Sequence, residues 1–145
     1  MTYRKPFSPS AYKKYDALAK EAMLKVLKEK GHEIVSSEEK KRIDIVSKKD
    51  GVLYYHEGEV KLIWSEDKWP GYENVRIPAR KKGLVRQHTS NLYFYVFNKK
   101  ANYYWFIKGE DLSDALLDVP KEKWNEENKE EFYVVPLEKA TLMKV

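Results

Sequence analysis

Apolar residues near the start of the chain recur at intervals of three and four, which is the pattern of an amphipathic helix. The positions that form this stripe are Tyr15, Leu18, Ala19, Ala22, Met23, Val26 and Leu27. Gly31 follows the last of them, where a glycine commonly ends a helix. The pattern therefore predicts a helix from Ala11 to Lys30, and residues 1–9 are expected to form an arm or an irregular start.

The segment that follows, residues 42–62 (RIDIVSKKDGVLYYHEGEVKL), has two apolar-rich runs on either side of a breaker pair. The breaker is Asp50-Gly51, and Asp-Gly between two such runs is a strong hairpin signal because glycine accepts the positive φ that the turn requires. We therefore predict two antiparallel strands joined at this turn.

The rest of the chain predicts shorter elements. These are a strand at His32 to Val35, a helical turn that starts at Pro78 and stops at Gly83, antiparallel strands at Leu92 to Phe97 and Tyr103 to Ile107, a short helix beginning at Asp111 or Ser113 and including Leu112 and Leu116, and an edge strand at Phe132 to Leu137. The edge position is expected because Pro136 cannot donate to a ladder. This order predicts an α/β sandwich around a mixed sheet, and 145 residues are expected to form one domain.

Three charged side chains in the predicted hairpin are candidates for chemistry. Alternate residues of a strand share a face, so Glu59 and Lys61 should project together while Val60 and Leu62 turn to the core. Asp44 should point opposite to the isoleucines on either side of it. If the two faces coincide, two carboxylates and an ammonium converge. Carboxylate oxygens suit a hard divalent cation such as Mg²⁺.

These residues carry a resemblance to a known family. Asp44 in an apolar strand, followed fifteen positions later (59 minus 44) by Glu-x-Lys, resembles the signature of the PD-(D/E)xK nuclease superfamily. That superfamily includes restriction enzymes, archaeal Holliday junction resolvases and some homing endonucleases. The predicted helix, which leads into Gly31 to Val35 ahead of the aspartate, is similar to the first helix of the junction resolvases, and Ile43 stands where the motif has proline. The resemblance extends over residues 10–64.

The resemblance implies a restriction-endonuclease-like three-layer α/β sandwich, in which helices flank a mixed central sheet. It also implies a metal-dependent DNA endonuclease that hydrolyses phosphodiester bonds with Mg²⁺, for which Mn²⁺ can substitute. Asp44 and Glu59 would be metal ligands, together with the carbonyl of Val60. Lys61 would orient or deprotonate the attacking water, or neutralise charge on the phosphate.

Two further glutamates compete for a place in this site. Glu57 shares a strand face with Glu59, but only Glu59 has the lysine at the family spacing. Glu21 matches the first-helix glutamate that joins the metal site in junction resolvases. A surface pair with Lys25, four residues later, explains Glu21 equally well.

Basic residues are concentrated downstream of the hairpin. The net charge is only +5, but Val75 to Gly109 contains no acidic residue and eight cations, whereas the segment from Glu110 to Glu131 is mainly acidic. This asymmetry favours a polyanion on the basic surface, with the acidic segment placed away from it. The residues predicted to bind DNA are Arg76, Arg80, Lys81, Lys82, Arg86 and Gln87. His88 either approaches the scissile phosphate or serves as an ordinary loop histidine.

Composition narrows the kinds of site and the classes of protein that remain. The chain has no cysteine, so it has neither disulfides nor thiolate sites, and His32 and His56 lack a partner at a zinc-ligand spacing. No apolar run approaches the length of a membrane helix or of a secretory signal. We expect an intracellular homodimer or higher homo-oligomer acting on duplex or branched DNA, because cutting two strands with one small site takes two copies. The alternative is a non-catalytic nucleic-acid-binding module on the same fold.

Overall fold

The computed structural model describes residues 9–37, 43–79, 82–127 and 129–145. Its helices are α1 (Pro9–Glu29), α2 (Lys82–Gln87) and α3 (Gly109–Ser113), with short 3-10 turns at Lys123–Asn125 and Leu137–Lys139. Its strands are β1 (Glu33–Ser36), β2 (Ile45–Lys49), β3 (Val52–Val60), β4 (Asn74–Pro78), β5 (Leu92–Phe97), β6 (Tyr103–Lys108), β7 (Leu116–Asp118), β8 (Phe132–Pro136) and β9 (Thr141–Lys144).

Six strands form the larger sheet, in the order β1-β2-β3-β5-β6-β9. β3 and β5 run parallel, and every other neighbouring pair is antiparallel, so the sheet is mixed as predicted. The predicted hairpin is confirmed. Asp50 and Gly51 have φ angles of 52° and 79°, which is the paired positive φ of a two-residue turn that matches strand twist.

Helix α1 covers one face of this sheet. Its buried side chains, which include Met23 and Leu27, pack with Ile45 of β2, Tyr95 of β5 and other buried residues of the central strands. The 3.6-residue periodicity of the apolar stripe is the reason that a single helix face meets the sheet. Gly31 has a φ of 81° just beyond the helix, as predicted for a residue that ends it.

A second, three-stranded sheet in the order β4-β8-β7 packs with α2 and α3 against the other face. The core between the layers includes Trp64, Ile77, Phe94, Trp105 and Val135. The protein is therefore an α/β sandwich with a mixed sheet. One of its outer layers is a helix and the other is a small sheet with two short helices.

Several predicted elements of the downstream half were wrong. Gly83 lies inside α2, and Pro78 ends β4 rather than starting a helical turn. Leu116 belongs to β7, not to the short helix. β8 was predicted to be an edge strand, but it is the central strand of its sheet. Pro136 is tolerated there because it stands at the end of the strand, where its missing N–H removes at most one ladder hydrogen bond.

Candidate active site

The candidate site lies on the face of β3 that points away from α1. Gly58 faces Met23 of α1, and Val60 packs in the same core, so the even-numbered residues of β3 turn towards the helix. Tyr55 packs in the opposite core, against the second sheet. Alternation therefore places Glu57 and Glu59 on that second face.

Asp44 precedes β2 and is hydrogen-bonded directly to residues of β3. Its Oδ2 accepts a hydrogen bond from the N–H of Gly58 at 3.0 Å, and its own N–H donates to Glu57 Oε2 at 2.8 Å. The direct contacts of Asp44 are thus with Glu57 and its neighbour. Glu57 was the rival of Glu59 in the sequence. The hairpin register explains its proximity, because Ile45 lies opposite His56 and the next position places Asp44 opposite Glu57.

Glu59 and Lys61 project together, as predicted. Lys61 Nζ lies 3.3 Å from Glu59 Oε1, and the Lys61 N–H donates to the carbonyl of Phe97 at 2.9 Å, which holds the residue beside β5. Glu59 Oε1 is buried, and no hydrogen-bond donor is aligned with it. The ammonium is close enough for electrostatic attraction but is not oriented for a hydrogen bond. Leu62 is exposed, so the prediction that it turns to the core was wrong.

The donor set at this site is carboxylate oxygen, which suits Mg²⁺. Glu59 Oε1 fits a metal ligand because it is a buried anionic oxygen without a hydrogen bond. In residues 9–37, 43–79, 82–127 and 129–145, however, no three acidic, histidine or cysteine side chains stand close enough to form a metal-binding group. Val60, whose carbonyl was a predicted ligand, is the last residue of β3.

Glu21 is not brought to these residues. It is exposed on α1, whose packed side chains cover the opposite face of the sheet. Within the described parts of the chain, no hydrogen bond or ion pair joins it to Asp44, Glu59 or Lys61. The structure therefore gives no geometric support to Glu21 as a metal ligand.

The acidic segment lies beside the predicted DNA-binding residues, and the expectation that it would be placed away from them was wrong. Arg76 pairs with Asp118 at 3.5 Å, and Lys82 pairs with Glu131 at 3.1 Å. The physical reason is sheet topology: β8 pairs with both β4 and β7, so acidic and basic segments share one sheet.

The other predicted DNA-binding residues are distributed as follows. Arg86 and Gln87 are exposed on α2, and Arg80 and Lys81 lie outside the described residues. His88 is half-buried and stacks on Tyr55 with ring centroids 3.8 Å apart, so packing accounts for its position.

A buried polar chain on the α1 side of the sheet was not predicted. Ser47 Oγ hydrogen-bonds to His32 Nδ1 at 2.8 Å and to His56 Nε2 at 2.7 Å, and His56 Nδ1 bonds to the hydroxyl of Tyr95 at 2.9 Å. Burial, with smaller effects of His32 and Lys30, lowers the pKa of His56 to about 3. Burial also raises the pKa of Tyr95. Strand alternation, which places Ser47 and His56 on one face, was the signal available in the sequence.

Comparison of the chain with protein-family models finds no match, and comparison with curated proteins finds none either. Among the helices that the structure describes, none combines the length and apolar composition needed to cross a bilayer.

Proposed function

We propose that this chain is a Mg²⁺-dependent DNA endonuclease of the restriction-endonuclease-like fold, with Asp44, Glu59 and Lys61 at its active site. The observation that carries the proposal is the buried Glu59 Oε1, which lacks a hydrogen bond and has the Lys61 ammonium 3.3 Å away. Asp44 adds a second carboxylate, held on β3 by the N–H of Gly58.

One oxygen of the Glu59 carboxylate is buried while the side chain as a whole is 31% exposed, and a charged oxygen held out of water is stabilised by a compensating partner. Lys61 supplies part of that compensation, and a cation held between Asp44 and Glu59 would supply more. When bound, a divalent cation polarises the phosphate and lowers the pKa of a bound water. The carbonyl of Val60 is a further candidate ligand.

Lys61 has its own role in the proposed reaction. Its side chain is 20% exposed and stays beside the Glu59 carboxylate. A positive charge fixed in partly buried surroundings stabilises negative charge on a phosphate more strongly than one in open water. Lys61 would therefore hold the attacking water or neutralise charge that develops on the phosphorus oxygens.

A second candidate is a non-catalytic nucleic-acid-binding module. The observation that favours it is that no group of three metal-ligating side chains is assembled in the described residues. The basic residues of β4 and α2 would then provide the function without chemistry.

The decisive test incubates the purified protein with supercoiled, linear and four-way-junction DNA, in Mg²⁺, in Mn²⁺ and in a chelator. Lys61→Ala should lower metal-dependent cleavage about 100-fold or more while DNA binding is retained. Lys48→Ala, which removes an exposed lysine elsewhere on the hairpin, is the matched control and should cleave normally. Binding without cleavage in either metal supports the module instead.

We also propose that two copies act together on duplex or branched DNA, since the part of the chain that the structure describes carries one candidate site. Light scattering of the protein with a junction or duplex substrate measures the stoichiometry. A cleaving complex with a single chain would contradict this part of the proposal.

A further inference from the structure

The regular pattern of backbone hydrogen bonds between β2 and β3 is interrupted at Asp44. In two antiparallel strands joined by a two-residue turn, hydrogen-bonded and non-hydrogen-bonded residue pairs alternate, starting from the turn. Counting from the turn, Ile45 and His56 form a hydrogen-bonded pair. The next ladder bond would join the N–H of Gly58 to the backbone carbonyl of residue 43. Gly58 donates instead to Asp44 Oδ2 at 3.0 Å. A side-chain carboxylate thus takes the place of a backbone acceptor.

Glu57 supplies the complementary bond. Its side chain is almost fully buried, at 2% exposure, and its Oε2 accepts the N–H of Asp44 at 2.8 Å. One bond therefore fixes the backbone of Asp44, and the bond from Gly58 fixes its carboxylate. Two hydrogen bonds running in opposite directions between the same neighbours restrict both the position and the rotamer of Asp44.

Asp44 needs such support because it lies outside β2, where the ladder does not hold it. A metal ligand works only if its side chain is held in place, and the residues that hold ligands are often as necessary as the ligands. We propose that Glu57 is a positioning residue, which fixes the backbone of Asp44 so that the Gly58 N–H can hold the Asp44 carboxylate in the orientation from which it binds a divalent cation. This inference rests on the proposed function.

The role requires an acceptor oxygen at position 57 and does not require its charge. Glu57→Gln keeps a carbonyl oxygen for the Asp44 N–H, whereas Glu57→Ala removes it. Calorimetric titration with Mn²⁺ should show wild-type affinity for Glu57→Gln and an affinity about 10 to 100-fold weaker for Glu57→Ala. Glu33→Ala, at an exposed glutamate of β1, is the matched control and should bind as the wild type does.

Amide exchange in the metal-free protein provides a second readout, because it follows the Asp44 contacts without reference to catalysis. Glu57→Ala should speed exchange of the N–H groups of Asp44 and Gly58, while the amides of β5 stay protected and show that the variant is folded. Glu57→Gln should leave both slow.

Three results would overturn the inference. Equal loss of Mn²⁺ affinity in Glu57→Gln and Glu57→Ala would make the charge essential and Glu57 a ligand. Unchanged Mn²⁺ affinity and unchanged amide exchange in Glu57→Ala would contradict the positioning role of Glu57 but not the proposed function. Wild-type protein that binds no Mn²⁺ would overturn this inference and the proposed function together, so the two failures are distinguishable.

Discussion

Gly58 of β3 lies so close to Met23 of α1 that a Cβ at position 58 would be 2.6 Å from Met23 Cε and 2.8 Å from its sulfur. A side chain at position 58 therefore fits only if the end of the Met23 side chain moves. On the same residue, the N–H holds the Asp44 carboxylate. One glycine thus couples the packing of α1 to the proposed metal site.

Replacing Gly58 with alanine should destabilise the fold. The new methyl group displaces the flexible end of Met23, so the cost should lie at the low end of the range for overpacking, about 1 kcal/mol. Urea denaturation measures the loss. In a Met23→Ala background the same substitution should cost less, because the clashing atoms are gone. An equal cost in both backgrounds would show that the close contact is not the cause.

Acid should destabilise the protein through His56. Its pKa is about 3 in the folded protein, lowered by burial, against 6.5 when unfolded, so the unfolded chain binds the proton more readily. The stability due to neutral His56 is fully present above pH 6.5 and is lost as the pH falls towards 3. The difference between a pKa of 6.5 in the unfolded chain and one of about 3 in the folded protein corresponds to at most about 5 kcal/mol. Urea denaturation across this pH range measures the slope.

The matched substitutions for that experiment are His56→Gln and His88→Gln. The first should flatten the dependence of unfolding free energy on pH, although it also removes hydrogen bonds to Ser47 and Tyr95. The second, at a histidine that stacks on Tyr55 outside the polar chain, is the control for the loss of a histidine as such. Equal slopes for wild type and His56→Gln would contradict the assignment.

Asp118→Asn should strengthen DNA binding. The carboxylate pairs with Arg76 at 3.5 Å, and its removal frees a cation for a phosphate. Affinity measured by fluorescence anisotropy should rise, and the slope of log K against log salt should steepen by about 0.9. Asp114→Asn makes the same change in net charge at an exposed position and is the control. Equal gains in both variants would point to net charge alone.

Arg86→Ala should weaken DNA binding more than Lys82→Ala. Arg86 is exposed and forms no ion pair with any residue that the structure describes, whereas Lys82 is already paired with Glu131 at 3.1 Å. Each lost phosphate contact also makes the affinity for DNA less dependent on salt concentration. The same anisotropy titration compares the two, and a larger loss for Lys82→Ala would contradict the assigned surface.

Local signals in the sequence predicted the local structure well. The Asp50-Gly51 turn and the α1 stripe depend on residues near one another in the chain, and both are confirmed. The central position of β8 depends on its pairing with β4 and β7, which are distant in sequence, so local propensity could not reveal it.

In the candidate site, too, the local arrangement was predicted and the contacts between distant segments were not. Alternation along one strand correctly predicted that Glu59 and Lys61 project together. The direct bond between Asp44 and Glu57 depends on the register across the hairpin and on the end of its ladder. The ion pair of Arg76 with Asp118 depends on long-range sheet pairing. A linear charge pattern therefore showed the basic surface without its acidic partners.

Diffraction from crystals soaked in Mn²⁺ tests the central claim most directly. The account predicts an anomalous peak coordinated by carboxylate oxygens of Asp44 and Glu59, which is lost in Asp44→Asn/Glu59→Gln protein. A soaked crystal with no peak between these two residues, or with Glu59 still paired only with Lys61, would contradict it.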